Sequence, residues 1–390
     1  MIKALKILWH GDVCCNTGFA RVTHSLLAEL AKEHEVHVLG INYYGDPHPY
    51  PFKIWPACGI GRDRHGVSRA FEVVNKVRPD VFICFNDLWV VNAVWEKVHF
   101  LRQQLGFKFV GYFPVDCEMY SPAMVKHVSE WDTAATFLRE SVDVLVNSGV
   151  KSGKLCVIPH GVDVERFSPM DTKECKKKLG LPEDSWIVLN SNRNQPRKRI
   201  DLTIKGFADF AKGKDDTYLY LHMNKKDLGW DVVSLFKTEM ERRGMKSEKR
   251  LIMTNPNMDY SNAPPDETLN LVYNSCNVAI NTSDGEGWGL TPFEAAACRK
   301  PVIVPANTAS KAIWEGMGIT TKIAQWVIDK DLNIERGIVS STDLAKHLTK
   351  LYQNDFYAEG IAVDCYEVTQ RDQYRWGNIA ENFNRLLESV

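Results

Sequence analysis

Short apolar runs alternate with helical patterns along most of the chain, and this alternation restricts the fold more than any other feature. It is the signature of parallel sheets covered by helices on both faces, so the expected class is α/β and doubly wound. In the first half the strand candidates are Ile7–Trp9, Val36–Ile41, Val81–Phe85, Phe109–Phe113, Ala134–Leu138 and Cys156–Ile158. Between the first two, Phe19, Val22, Leu26 and Leu30 share one helical face, with Thr17 as a plausible N-cap. Tyr43–Pro56, rich in Tyr, Pro, Gly and His, reads as an irregular loop.

Pro159-His160-Gly161-Val162-Asp163 breaks this pattern, and a second one begins near the basic segment Lys173–Lys178. Strand candidates Ile187–Asn190, Tyr218–His222, Leu251–Met253, Val278–Asn281 and Val302–Val304 alternate there with helices at Ile200–Phe210, from Trp230, from Asp266 and at Thr291. The helices from Leu344 onward have no strands between them. At 390 residues two domains are expected. The boundaries suggested are 1–163 and 164–371, with a terminal helix over 372–390. In such sheets ligands bind outside the carboxyl ends of strands. The segments to watch are therefore Gly11–Gly18, Asn86-Asp87, Pro114–Glu118, Ser191–Lys198, Asn255–Tyr260 and Ser283–Leu290.

The formal net charge of -1 gives no global electrostatic reason to bind nucleic acid or anionic membrane. The ten cysteines include no Cys-x-x-Cys pair, so a metal or disulfide framework is not indicated and reduced thiols are the expectation. The N-terminus runs straight into a strand-like segment with no signal-peptide core, and no apolar run approaches the roughly 20 residues of a membrane span. A cytoplasmic location is expected.

The segment from Glu286 to Pro305 carries the clearest chemistry. An acid, a Gly-rich turn and a second acid at Glu294 open a small-residue helix, followed by a basic turn and a β-branched strand. The turn leaves main-chain N–H groups at a helix N-terminus, where the dipole favours an anion such as a phosphate. Glu286 and Glu294 supply acceptor oxygens suited to hydroxyl groups, so the segment is shaped to grip a phosphorylated sugar at both ends. Arg193 and Lys198 follow the first strand of the second half, where fixed cations would meet the negative charge that develops on a leaving diphosphate. A solvated basic turn is the plain alternative for that pair, and a first-turn dipole preference is the plain alternative for Glu294.

These motifs, in this order, resemble a retaining, nucleotide-sugar-dependent glycosyltransferase of family 4 with the GT-B fold. The residues carrying the resemblance are Ile158-Pro159-His160-Gly161-Val162-Asp163 with Arg166-Phe167, then Arg193 and Lys198. Glu286, Gly287, Gly289, Leu290 and Glu294, then Pro301-Val302-Ile303-Val304 and Trp376, complete the set. The resemblance implies two Rossmann-like domains facing across a cleft, a donor bound mainly by the second, and a final helix that crosses back to the first. It implies that Arg193 and Lys198 hold the diphosphate, Glu286 the donor-sugar hydroxyls and Glu294 the ribose. The backbone of Gly287, Trp288, Gly289 and Leu290 would reach phosphate or sugar. Asn255 lies where the family holds the base. Trp288 would either line the sugar pocket or plug a wall between domains.

Two places depart from the family. Asp116, in Pro114-Val115-Asp116-Cys117-Glu118, stands about where a His is usual, and is the candidate for orienting the acceptor or acting simply as a loop cap. The early loop Gly11-Asp12-Val13-Cys14-Cys15-Asn16-Thr17-Gly18 is also atypical; Gly18 either lets backbone approach a phosphate or is a turn glycine.

The implied reaction moves a hexosyl unit from a nucleoside diphosphate sugar, UDP-sugar favoured, to an acceptor hydroxyl with retention, without a metal or other cofactor. A saccharide or small molecule is the expected acceptor, and modified nucleic acid a further one. A dehydrogenase would want a Gly-x-Gly-x-x-Gly after a strand with an acid about 20 residues on, which no loop supplies. A non-catalytic sugar- or nucleotide-binding module on the same fold is the remaining alternative.

Overall fold

The computed structural model describes residues 4–58, 63–259 and 263–390. The chain divides into two compact units, Met1–Gly161 with Asp372–Val390, and Val162–Arg371. Each is built on a parallel sheet.

The first unit has seven strands: β1 (Lys6–Asp12), β2 (Glu35–Ile41), β3 (Lys53–Pro56), β4 (Val81–Phe85), β5 (Lys108–Tyr112), β6 (Thr133–Thr136) and β7 (Leu155–Val157). Their order is β3-β2-β1-β4-β5-β6-β7, all parallel. Every residue of β4 is buried, as a strand covered on both faces requires. The Gly18–Leu30 helix starts where Thr17 accepts from the Ala20 amide at 3.0 Å. The Trp376–Ser389 helix belongs to this unit. Its Phe383 ring lies 6.0 Å from Trp9 and 5.3 Å from Tyr112, and Asn384 meets His34 and Glu33.

His160 sits inside this unit, its ring 3.8 Å from Phe137, and burial pushes its pKa down to about 3. Gly161 follows because a Cβ there would meet the Tyr374 carbonyl oxygen at 2.6 Å. The Pro-His-Gly break is thus a tight packing junction with the terminal segment.

The second unit has a six-stranded parallel sheet: β8 (Trp186–Asn190), β9 (Thr217–Leu221), β10 (Leu251–Ile252), β11 (Val278–Ile280), β12 (Val302–Pro305) and β13 (Ile319–Thr321). The order is β10-β9-β8-β11-β12-β13. A hairpin, β14 (Ile323–Ile328) with β15 (Glu335–Val339), follows it. One face of the sheet packs Val188, Leu219 and Leu221 against Ile204, Phe207, Phe236 and Leu344.

Four strands differ from the sequence reading. Tyr43–Pro56 is not wholly a loop, because Lys53–Pro56 pairs with β2. Its four residues, ending in proline, form an edge strand too short to show a periodic pattern. The hairpin was hidden for another reason: the residues of β14 do not alternate apolar with polar, and Ala324, Gln325 and Trp326 are exposed, so no period marks it as a half-buried strand. The short β13, Ile-Thr-Thr, likewise has little apolar signal. Among the described residues no helix is long and apolar enough to cross a membrane.

Gly111 in β5 tests how tightly the first core is packed. A Cβ there would sit 2.6 Å from Cε3 of the buried Trp131 ring. Gly111→Ala is expected to cost about 1–3 kcal/mol by overpacking. Urea unfolding should show the lower midpoint with an unchanged slope.

Candidate functional site

Each sheet reverses its order once: after β3 the chain returns to the far side of β1, and after β10 to the far side of β8. At such a switch point the neighbouring strands send their loops apart and open a crevice at their carboxyl ends. In the second unit the flanking strands are β8 and β11. Their loops carry Arg193 and Lys198 on one side and Glu286–Leu290 on the other.

The β8 loop turns through Pro196–Lys198, and the Lys198 side chain reaches Glu286 as a buried ion pair. Oε1 of Glu286 also accepts from Asn281 Nδ2 at 3.0 Å and Ser283 Oγ at 2.6 Å, while Arg197 approaches Oε2 at 3.4 Å. Glu286 is only 5% exposed. Burial pushes its pKa up, but Lys198 and then Arg197 more than offset this, so the carboxyl is held well below the usual carboxylate range. The two loops are locked further by Asp284 N donating to Arg197 O at 2.9 Å and Thr282 Oγ1 donating to Lys198 O at 3.0 Å.

After Glu286 the chain passes the buried Gly287 and Trp288 to Gly289, whose φ of +93° is left-handed and suits glycine alone at low cost. The Leu290–Ala297 helix starts there with no side-chain cap, so its dipole end is presented at the switch point. Leu290 is part-exposed at that end. Glu294, in the same helix, accepts from Tyr273 OH at 2.6 Å, and Tyr273 OH in turn accepts from Ser191 Oγ at 3.2 Å. Trp288 stacks on Phe293 at 5.0 Å and 16° and is 3% exposed. It sits as a wedge under the turn, inside the second unit.

Arg193 is seated on Asp227, with Nε at 3.0 Å and Nη2 at 2.8 Å from Asp227 Oδ2. Arg197 meets Glu286 itself, and Arg199 pairs with Asp201. Asn255 lies after β10, where its side chain accepts from the Asn257 amide at 3.2 Å. Of the segment singled out after β10, Tyr260 lies outside the described residues. Gly18 and Asp116 lie at carboxyl ends of strands in the first unit. Gly18 is exposed and opens its helix; Asp116 is part-exposed in the loop after β5. Beside it, Tyr120 OH donates to Pro114 O at 3.3 Å, and burial followed by the Asp116 charge holds that phenol well above its ordinary pKa. Among the described residues no cluster of His, Cys, Asp and Glu could hold a metal ion.

Several residues escaped the sequence reading. Asn194 donates to the carbonyls of Lys225 and Trp230 and accepts from the Trp230 amide, clamping the loop that carries Asp227; Gly229 is glycine because Asn194 lies against it. The Asp284 carbonyl accepts from Gly337 N at 3.0 Å and Asn307 Nδ2 at 2.8 Å, and its carboxylate lies 3.7 Å from Arg336. The β15 strand of the hairpin therefore braces the Glu286 loop. No local pattern announces contacts between residues this far apart in sequence.

Glu286→Gln is expected to lose about 3 kcal/mol at neutral pH, because Lys198 keeps a buried charge without its counter-ion. The pH profile should change as well. A carboxyl with a depressed folded pKa stabilises fully above its unfolded value of 4.5 and loses that stability as pH falls further. The wild type should therefore weaken steeply below about pH 4.5, and Glu286→Gln should weaken less over that range, as urea midpoints against pH would show.

Comparison with known proteins bears on the fold and on the segment that carries this site. Residues 171–315 match the family model described as glycosyl transferases group 1. A D-inositol 3-phosphate glycosyltransferase of Acidothermus cellulolyticus is 29% identical over 175 residues, covering 43% of this chain and 36% of that protein. One from Geodermatophilus obscurus is 27% identical over 173 residues, with 43% and 36% covered. The match thus spans little more than a third of these relatives' length. Among solved structures, Anabaena HepE in complex with UDP-glucose has a TM-score of 0.75 at 15% identity, covering 99% of this chain and 100% of that one. Sucrose-phosphate synthase from Thermosynechococcus elongatus has a TM-score of 0.73 at 18% identity, with 98% of each chain covered. The chain has the GT-B fold of two Rossmann-like domains, and its segment 171–315, which holds the Lys198–Glu286 pair, is similar to the glycosyl transferases of group 1.

Proposed function

We propose that the protein is a retaining glycosyltransferase that moves a hexosyl unit from a nucleoside diphosphate sugar, UDP-sugar favoured, to an acceptor hydroxyl. The observation that carries this reading is the buried Lys198–Glu286 pair beside an uncapped helix N-terminus at a topological switch point. Breaking the bond between the anomeric carbon and the phosphate oxygen leaves negative charge on the diphosphate. Fixed cations and helix-end amides stabilise that charge without reorganising.

On this reading Lys198 holds the diphosphate and Arg193 joins it, with Asp227 setting the resting position of the guanidinium. Glu286 orients Lys198 through the ion pair, and its neighbours Gly287 and Gly289 let main chain come close to sugar and phosphate. Glu294 takes the ribose hydroxyls, supported by Tyr273. The acceptor oxygen attacks the anomeric carbon from the face the diphosphate leaves, which accounts for retention, and its proton passes to the departing phosphate oxygen. A covalent intermediate on Glu286 is disfavoured, because Oε1 already accepts from Lys198, Asn281 and Ser283. We assign Asp116 to the acceptor side. The cations supply the neutralisation that a metal would otherwise give.

The test is to incubate the protein with UDP-, GDP- and ADP-sugars and measure release of free nucleoside diphosphate. One donor should be hydrolysed slowly. Lys198→Ala should lower that rate by about 10²–10³, and Glu294→Ala should chiefly raise the donor KM. Absence of release, together with absence of thermal protection by any donor, would overturn the enzymatic reading.

A further inference from the structure

His222 follows β9 at the carboxyl edge of the second sheet, and its backbone amide continues the ladder by donating to Asn190 O at 3.1 Å. The residue is 8% exposed, and its Nδ1 is enclosed with no hydrogen-bond partner among the described residues. A buried polar nitrogen left so is unusual and asks for an explanation.

The face on which the ring lies follows from strand alternation. Leu219, Leu221 and Met223 belong to the core on one side of the sheet, so Tyr220 and His222 point to the other. On β8, Val188 joins that same core and Asn190 bonds Thr203, whereas Ser191 bonds Tyr273 on the opposite side. Asn190 is paired with Leu221, which places Ser191 beside His222, one strand spacing of about 4.8 Å apart. His222 therefore shares a face and an edge with the Ser191–Tyr273–Glu294 chain. On its other side the loops after β9 and β10 are tied by Asn224 Nδ2 to Met258 O at 2.7 Å and Lys225 N to Pro256 O at 2.9 Å.

If Glu294 holds the ribose, as proposed above, a base attached to that ribose lies one strand further along this edge. We infer that His222 is a nucleobase-recognition residue, its Nε2–H donating to a carbonyl oxygen on the base of the bound donor. Burial pushes the His222 pKa down to about 4, so the ring is neutral near pH 7 and carries one proton. We assign that proton to Nε2, since an enclosed, unbonded N–H at Nδ1 is costlier than a bare acceptor there. A neutral donor in that place selects bases with a ring carbonyl, uracil or guanine, over adenine.

Calorimetric titration of UDP, GDP and ADP into the full chain tests this, with His222→Ala, His222→Gln and Glu294→Ala beside it. The wild type should prefer UDP or GDP to ADP. His222→Ala should weaken the preferred ligand about five- to tenfold while leaving ADP within about twofold, and His222→Gln, which keeps a donor near Nε2, should restore most of the preference. Glu294→Ala should weaken all of them alike. Should His222→Ala melt early, His222→Phe carries the same comparison, since it fills the space without an N–H. Unchanged affinities in the His222 variants, or an equal loss for every nucleotide, would overturn the inference while leaving the donor site standing. A wild type that binds no nucleoside diphosphate would overturn the donor site itself, and this inference with it.

Discussion

A carboxylate almost wholly removed from water can persist at the end of β11 only because cations and hydrogen-bond donors are brought to it. Glu286 thereby imposes a geometry on two loops that are far apart in sequence. The turn after β8 must deliver the Lys198 ammonium, and the segment after β11 must fold back so that Asn281 and Ser283 reach the same oxygen. Once these are in place the chain enters the Leu290–Ala297 helix at one fixed point, with a left-handed glycine making the bend. Charge burial here is a device for position more than for net stability, since desolvation offsets much of the attraction.

That position is held from outside by elements with no part in the chemistry. The Asp284 backbone joins the β8 turn through Arg197 and the β15 strand through Gly337, and Asn307 adds a third hold. The β14–β15 hairpin, with Trp326 and Ile328 largely in solvent, gains its place in the fold from this bracing. In the same way Asn194 fixes the loop whose Asp227 sets the resting place of Arg193. The GT-B fold supplies the crevice at the switch point, and these polar clamps decide which atoms face it.

Much of the fold was legible in the chain because parallel strands covered on both faces are written as continuous apolar runs, as in Val81–Phe85 and Ile187–Asn190. The strands that were not legible are those whose residues face solvent or number too few to show a period, such as Lys53–Pro56 and Ile323–Ile328. For the site, Lys198 stood out as a cation in the loop after a strand, and Glu286 and Glu294 as two acids bracketing a Gly-rich turn that opens a helix. Their partners did not: Tyr273 reads as one more aromatic on a helix, and Asp227 as one more surface acid. Trp288 was ambiguous in sequence, between lining a sugar pocket and plugging a wall between domains; the structure stacks it on Phe293 inside the second unit.

The sequence by itself determined the α/β class and the strand-end segments where chemistry belongs, since hydrophobic period and glycine placement act locally. The tertiary structure alone decided that Lys198 meets Glu286 while Arg193 is held by Asp227, and that His222 shares an edge with Ser191 and Tyr273. Those outcomes depend on which strands become neighbours when the sheet reverses its order. The energy of pairing two charges is fixed by the distance and burial that result, and no local sequence pattern contains either.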